Sequence, residues 1–330
     1  MEKQAKRHNF QHQSGRMFLV LFSIFSTLAW VSAGMAEKYP EKPVTLIVPF
    51  VAGSGLDLEV RLLQPYLQKH LGASVVLSNV PGADRKLGLN KAFKAPNDGY
   101  TILSPGWPMP VGELAFNPHK FTYIGAWTKS NFVLVANSET WKTMEEFVKS
   151  AQQKKLNCGV SNIAGMSRIL GEALKDAAGI KEINWIFYSG ANDAMVQIAG
   201  KHLDFVITTN SSAQGLVRAG RVRPLMVFSN DADDVFPDVP LAKNLGYNVP
   251  PLATTRLLLA PPKTPPQKLK ILEQALLKAA KDPAYQKMLK ERGMTTYIQG
   301  SEELKKDLEA SYPVLDKYLN KIGFSMTFKD

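Results

Sequence analysis

The feature that most constrains this chain is a unit that it repeats: an apolar run, a loop of small residues, then a helical pattern. In the first copy VTLIV (residues 44–48) ends at Pro49, and Ala52, Gly53, Ser54 and Gly55 form the loop. A helix opens at Asp57, in which Leu58, Leu62, Leu63, Tyr66, Leu67 and Leu71 fall three and four apart and so share one face. Pro65 inside it is expected to kink it. The unpaired N–H groups of the first helical turn point back toward the loop with partial positive charge, which suits an anion. An ordinary βα turn, whose glycines serve only tight backbone geometry, has the same appearance.

The unit recurs along the chain. Strand 74–78 leads to Asn79, Val80, Pro81, Gly82 and Ala83 and then to a helix carrying Leu87, Ala92 and Phe93. Asn97-Asp98-Gly99 is a turn before a third strand, 100–103. Residues 104–118 are rich in Pro and Gly and read as an irregular segment, followed by apolar runs at 123–127 and 132–136. Thr143 with Glu146 forms a capping box that starts a helix. A weak strand at 156–160 then enters the loop 161–167, which includes Ser161, Ala164, Gly165 and Ser167, with Ser167 a plausible N-cap and Gly179 the stop of the helix after it. Strand 183–188 ends at Tyr188, Ser189 and Gly190 before a helix at 192–199, and strand 203–208 ends at Thr209, Asn210, Ser211 and Ser212. Strands come next at 223–228 and 257–260, and from Pro266 onward the chain reads as helical: 266–281, 283–292 and 301–322, with Lys and Glu outward and Leu or Ile inward. Alternating strands and helices argue for a parallel α/β sheet, whose ligands sit outside the carboxyl ends of the strands, where the small-residue loops fall.

The residues exclude several chemistries. His70, His119 and His202 lie far apart with no flanking cysteine, so no metal site is expected. Neither a G-x-S-x-G elbow, a P-loop lysine nor a G-x-G-x-x-G fingerprint occurs, and no nucleophile–base pair assembles, so no catalytic residues and no cofactor are assigned. Asp98 and Asp193 suit turn geometry better than acid–base work. Cys158 is the only cysteine, which rules out an intramolecular disulfide and fits a small buried side chain. A formal net charge of +11 favours anionic partners, but no dense Lys/Arg stripe appears, so nucleic acid is not expected as a partner.

The N-terminus reads as a secretory signal peptide. A basic segment precedes MFLVLFSIFSTLAWV (17–31), which at 15 residues is short for a membrane span of about 20. Small residues come after it, placing cleavage after Ala33 or Ala36 and marking the mature protein for export.

From residue 37 onward the chain resembles the periplasmic solute-binding subunits of tripartite tricarboxylate transporters, the Bug family. The likeness rests on PFVAGSGLD (49–57) with Arg61, NVPGA (79–83), APNDGYTIL (95–103), FYSG (187–190), GKHLDF (200–205), RAGRVRPLMVFS (218–229), PDVPLAKNLG (237–246) and LAPPKTP (259–265). The resemblance implies an α/β, two-domain type II periplasmic-binding-protein fold with a hinge and a central ligand cleft. Domain 1 would comprise 37–127 and 254–330, and domain 2 would comprise 128–253. It further implies a non-enzymatic protein that captures a small organic carboxylate, a di- or tricarboxylate or related acid, and delivers it to membrane permease subunits; a monomer is the default for a cleft that must open and close. A ligand-binding adaptor for a sensor kinase, and a hydrolase or isomerase on the same fold, are the rival expectations. Carried onto this chain, the family's ligand loops are Ala52, Gly53, Ser54 and Gly55 with Pro81, Gly82 and Ala83 on the first domain. On the second they are Ser161, Ala164, Gly165, Ser167, Tyr188, Gly190 and Asn210. The chain departs from the pattern at Ser54, Leu56 and 84–86, with Arg168 where a His is common and Arg256 near a customary Trp position. Arg85, Arg168 and Arg256 are therefore candidates to add charge to the cleft, while Asp57 with Arg61 reads as a helix-start ion pair.

Overall fold

The computed structural model describes residues 38–83, 85–108, 117–160, 163–188, 190–292 and 294–324. The leader with its cleavage site, together with Ser161, Asn162 and Ser189, lies outside them. The chain divides into units 1–41 and 42–330, and every strand and helix described belongs to the second.

The first repeat unit folds as β1 (Val44–Val48) and α1 (Gly55–Leu71). Ser54 caps the helix by accepting the Asp57 N–H, and Gly72 closes it in the left-handed conformation. The buried face is Leu56, Val60, Leu63, Leu67 and Leu71. Leu58, expected on that face, is 52% exposed because it lies two residues, about 200° of helix rotation, from Leu56 and from Val60, which set the inward stripe. The helix continues through Pro65, which lies on its solvent side.

Next come β2 (Val75–Asn79), α2 (Lys86–Phe93), β3 (Thr101–Leu103) and β4 (Thr122–Asn137). After these are α3 (Met144–Gln153), β5 (Leu156–Val160), α4 (Met166–Ala177), β6 (Ile183–Phe187), α5 (Ala191–Ala199), β7 (Phe205–Thr209) and α6 (Asn210–Arg218). The chain continues through β8 (Val222–Phe228), β9 (Ala253–Ala260), α7 (Pro266–Ala280), α8 (Pro283–Glu291), β10 (Thr295–Gln299) and α9 (Ser301–Lys321).

Among the described residues the strands form one mixed sheet, in the order β2-β1-β3-β9-β4-β7-β5-β6, with β8 and β10 also paired to β4. The expected parallel pairing holds within β2-β1-β3 and within β7-β5-β6. It fails at the centre, where β4 is antiparallel to β7, β8, β9 and β10. The two apolar runs at 123–127 and 132–136 are one strand. The polar residues between them, Thr128, Ser130 and Asn131, are buried all the same, so the hydrophobic pattern breaks where the strand does not. β4 changes partners along its length: up to Asn131 it pairs with β9, and from Phe132 with β7 and β8. β10 interrupts a region whose pattern reads as helical from Pro266 onward; its Thr-Thr-Tyr-Ile stretch has the β-branched and aromatic composition of a strand.

The helices cover the sheet. α7 packs against α1 and β4, burying Leu272, Ala275, Leu276, Ala279 and Ala280. α9 reaches α4, where Lys321 pairs with Asp176. Cys158 is fully buried as expected, and burial pushes its thiol far up from the ordinary value, away from thiolate chemistry. Among the described residues no helix is long and apolar enough to cross a membrane.

Gly88 lets α2 close on the end of β1. A Cβ there would stand 2.6 Å from Pro49 Cβ and 2.8 Å from the Val80 carbonyl oxygen. Because backbone would have to move, Gly88→Ala is expected to cost about 1–3 kcal/mol, read as a lower urea midpoint at unchanged slope. An unaltered midpoint would show that the contact is relaxed at no cost.

Candidate functional site

The strand registers gather the loops. Beyond β3, Trp107 bridges to Thr255, which pairs with Lys129 of β4. The end of β7, Thr209, pairs with Phe132 of β4. β1 and β2 run parallel beside β3, and β5 and β6 run parallel beside β7. The carboxyl ends of both parallel groups therefore face the same stretch of β4, residues 129–132. That is the place where α/β sheets take ligands.

On the first side, Asp57 organises the loops. Its buried carboxylate accepts the Gly53 N–H at 2.8 Å, Arg61 Nε at 2.8 Å and Asn79 Nδ2 at 2.8 Å. Asn79 also donates to the Phe50 carbonyl at 3.1 Å and accepts from Arg61 Nη2 at 3.2 Å. Burial alone would raise the Asp57 pKa, but the bonds from Arg61, Asn79 and Gly53 outweigh it and hold the carboxyl below the ordinary value. The Asp57–Arg61 pair expected from the sequence is present, and Asn79, which the sequence places only in a loop, joins β2 to it. The Gly53 N–H is thus committed within the loop, as is that of Ser54, which donates to Val51 O at 3.2 Å. The N–H groups of Gly55 and Leu56, in the first turn of α1, have no helical acceptor.

The second loop is exposed at Pro81, Gly82 and Ala83. Gly82 has φ +119°, and Ala83 and Arg85 have φ 48° and 72°, a region that costs non-glycine residues about 1–2 kcal/mol each. The turn is held by Lys86 N–H to Ala83 O at 3.1 Å and by Arg85 Nη1 to Pro108 O at 3.0 Å.

On the other side, α4 and α5 are capped by Gly165 and Gly190, neither of which supplies a side-chain acceptor. The Arg168 N–H donates to Gly165 O at 3.0 Å, while those of Met166, Ser167, Ala191 and Asn192, ahead of it in the first turns, have no helical acceptor and no side-chain cap. Ser167 is not the N-cap but the second residue of α4, because Gly165 already has the extended cap conformation. Ala164 and Gly165 are half-buried in the turn before it. Tyr188 is half-buried at the end of β6, its N–H bonded to Val160 O at 2.9 Å.

Asn210 is buried, and its carboxamide is committed: Nδ2 donates to Asp233 at 2.9 Å and Oδ1 accepts the Ser211 N–H at 2.7 Å. Asp233 also accepts from Asn131 Nδ2 at 2.9 Å and from the N–H groups of Val235 and Phe236 at 2.9 Å each. This buried carboxylate, which no sequence motif marks, ties the middle of β4 to the start of α6. Beside it, Ser130 Oγ lies 3.5 Å from Ser211 Oγ, and Thr209 caps α6.

The three candidate arginines differ. Arg256 makes a two-pronged ion pair with Glu59 of α1, at 2.6 and 2.9 Å, so its charge is neutralised locally. Arg85 turns to Pro108 and lies over the Phe50 ring. Arg168 donates to Ile163 O at 2.9 Å and lies over Trp185. Among the described residues no group of three or more His, Cys, Asp or Glu is placed to hold a metal ion.

The family model of the tripartite tricarboxylate transporter family receptor, TctC, matches residues 60–318. A protein from the TAR-I ttuE-ttuC' intergenic region of Agrobacterium vitis is 30% identical over 282 residues, spanning 82% of this chain and 80% of the relative. An R. palustris protein solved with adipate superposes with a TM-score of 0.75 at 22% identity, covering 87% of this chain and 99% of that one. MatC from Rhodopseudomonas palustris, solved with bound malate, gives 0.70 at 21% identity, covering 86% and 100%. The shared architecture is the two-domain binding-protein fold.

Proposed function

This chain belongs to the tripartite tricarboxylate transporter receptor family, and we propose that it is an exported, periplasmic solute-binding protein for a small organic carboxylate. It takes the acid, a di- or tricarboxylate or a relative of one, between two lobes and passes it to membrane permease subunits without converting it. The first lobe is residues 37–127 with 254–330 and the second is 128–253. In support, β4 exchanges β9 for β7 and β8 at Asn131 and Phe132, a few residues past that boundary, so this crossing strand serves as part of the hinge.

The observation that carries this reading is the convergence of the loops. Gly55, Leu56 and the glycine-capped starts of α4 and α5 supply open N–H groups from both sides of one stretch of β4. Backbone donors at helix N-termini bind carboxylates without needing a dedicated arginine from each side. Two proteins of this fold hold malate and adipate. The ligand closes the hinge because only the closed state lets both lobes touch it, so binding shifts that equilibrium.

The test is mass spectrometry of small molecules released from protein purified without denaturation. An organic acid at near-equal stoichiometry is the expected result. A bound sugar, amine or nucleotide lacking a carboxylate would contradict it.

A further inference from the structure

α9 changes partners along its length, and a proline stands at the change. Up to residue 312 the helix is held to the first lobe. Asp307 accepts from the Tyr297 hydroxyl at 2.6 Å and from Gln299 Nε2 at 2.8 Å, both on β10. The Ser301 N–H donates to Glu273 of α7 at 2.6 Å. The Tyr312 ring meets Trp107 and His119 edge-on, with centroids 5.1 and 4.1 Å apart, and its hydroxyl lies 3.4 Å from that of Tyr123. From Leu315 on, the helix is held to the second lobe. Lys321 Nζ pairs with Asp176 of α4 and lies 4.0 Å from Glu172. Leu315 and Leu319 are buried in a core that includes Leu170 and Leu174 of α4. Between the two sets stands Pro313, exposed and inside the helix. It has no N–H to offer the Glu309 carbonyl, so one rung of the helical ladder is missing where the helix passes from lobe to lobe. Pro65 of α1 marks no such change, since the main partners of that helix, α7, α8 and β2, all belong to the first lobe.

We propose that α9 is a third crossing of the hinge beside β4 and β9, that it bends at Pro313 when the lobes close, and that Lys321 straps its far end to α4. This rests on the two-lobe reading and deepens it: residues 314–324 move with the second lobe although the chain reaches them from the first. An unbroken helix of 21 residues is a rod about 30 Å long, and the missing rung lowers the cost of bending it. The strap limits how far the lobes part without ligand, which leaves the ligand a smaller population shift to drive.

The experiment compares wild type, Pro313→Ala, Lys321→Gln, Lys321→Arg and a surface control, Lys201→Gln, whose residue pairs with Glu139. Each is measured by small-angle scattering with and without succinate, malate, adipate and citrate, by calorimetric titration with the same acids, and by thermal unfolding without ligand. Pro313→Ala supplies the missing N–H at an exposed position, so Tm should rise by about 2–4 °C. For the acids that bind wild type, the same variant should shrink by about half as much as wild type or less, and its affinity should drop about tenfold. A merely structural proline would shift Tm and leave closure and affinity unchanged. Lys321→Gln should have a larger ligand-free radius of gyration than wild type and bind about threefold more weakly. Lys321→Arg and Lys201→Gln should match wild type. Acids that close Pro313→Ala as far as wild type, and bind it as tightly, overturn the third crossing while leaving the two-lobe reading intact. If no acid changes the dimensions of wild type, the two-lobe reading itself fails, and equal ligand-free radii for wild type and Lys321→Gln would then overturn the strap on its own.

Discussion

Asp57→Ala is expected to cost about 2–3 kcal/mol of stability and to weaken binding of the proposed acid about tenfold, through the loop it holds. The carboxylate is the common acceptor for Gly53 of the first loop, Asn79 at the end of β2 and Arg61 on α1. Removing it leaves three donors unmatched and frees the loop whose remaining N–H groups face the strand ends. Asp57→Asn keeps the shape but turns an amide toward Arg61, so a cost of the same order is expected. The pH dependence has a definite sign. The folded pKa lies below the ordinary value, so the contribution is fully present above the unfolded value of about 3.9 and disappears as pH falls through the lowered one. Urea unfolding across pH 2–6 should therefore show a steeper acid limb in wild type than in Asp57→Asn. Parallel curves would mean that the carboxylate has no special partners.

Asp233→Ala is expected to be more damaging still, at about 3–5 kcal/mol. The carboxylate is buried and accepts from Asn131, Asn210 and the backbone of Val235 and Phe236. Without it two carboxamides and two N–H groups lie in the interior with no acceptor, and the join between β4 and α6 loosens at the proposed hinge. Denaturant unfolding measures the loss directly. A cost below about 1 kcal/mol would mean that water replaces the carboxylate. Asp233→Asn retains an acceptor for some of these donors and should fall between wild type and Asp233→Ala.

The strand–loop–helix units are legible in the sequence because they are local: apolar period, small-residue loop and cap all lie within about thirty residues of one another, as in 44–72. The same locality exposes Thr143 as a cap, its hydroxyl bonded to the Glu146 N–H. What stays hidden is non-local or goes against the hydrophobic pattern. The middle of β4 buries Thr128, Ser130 and Asn131, which read as a break until Asp233 and Ser211 are seen to partner two of them. The Arg256–Glu59 pair joins residues 197 apart, and Asn79 meets Asp57 across 22, distances that no spacing rule covers. Asn210 stands out as a loop residue near a strand end, yet its carboxamide is turned inward to Asp233. Arg168 stands out in the sequence only as a departure from a family pattern; its packing over Trp185, 17 residues on in the next strand, shows only in the structure.

The most direct test of the clamp is small-angle scattering of ligand-free protein before and after addition of an acid that binds by calorimetry, with the acid then recovered and identified. One-to-one binding, a smaller radius of gyration and unchanged acid are the expected results. Binding with no change in dimensions, or recovery of a converted product, would contradict a protein that closes on its ligand in order to carry it.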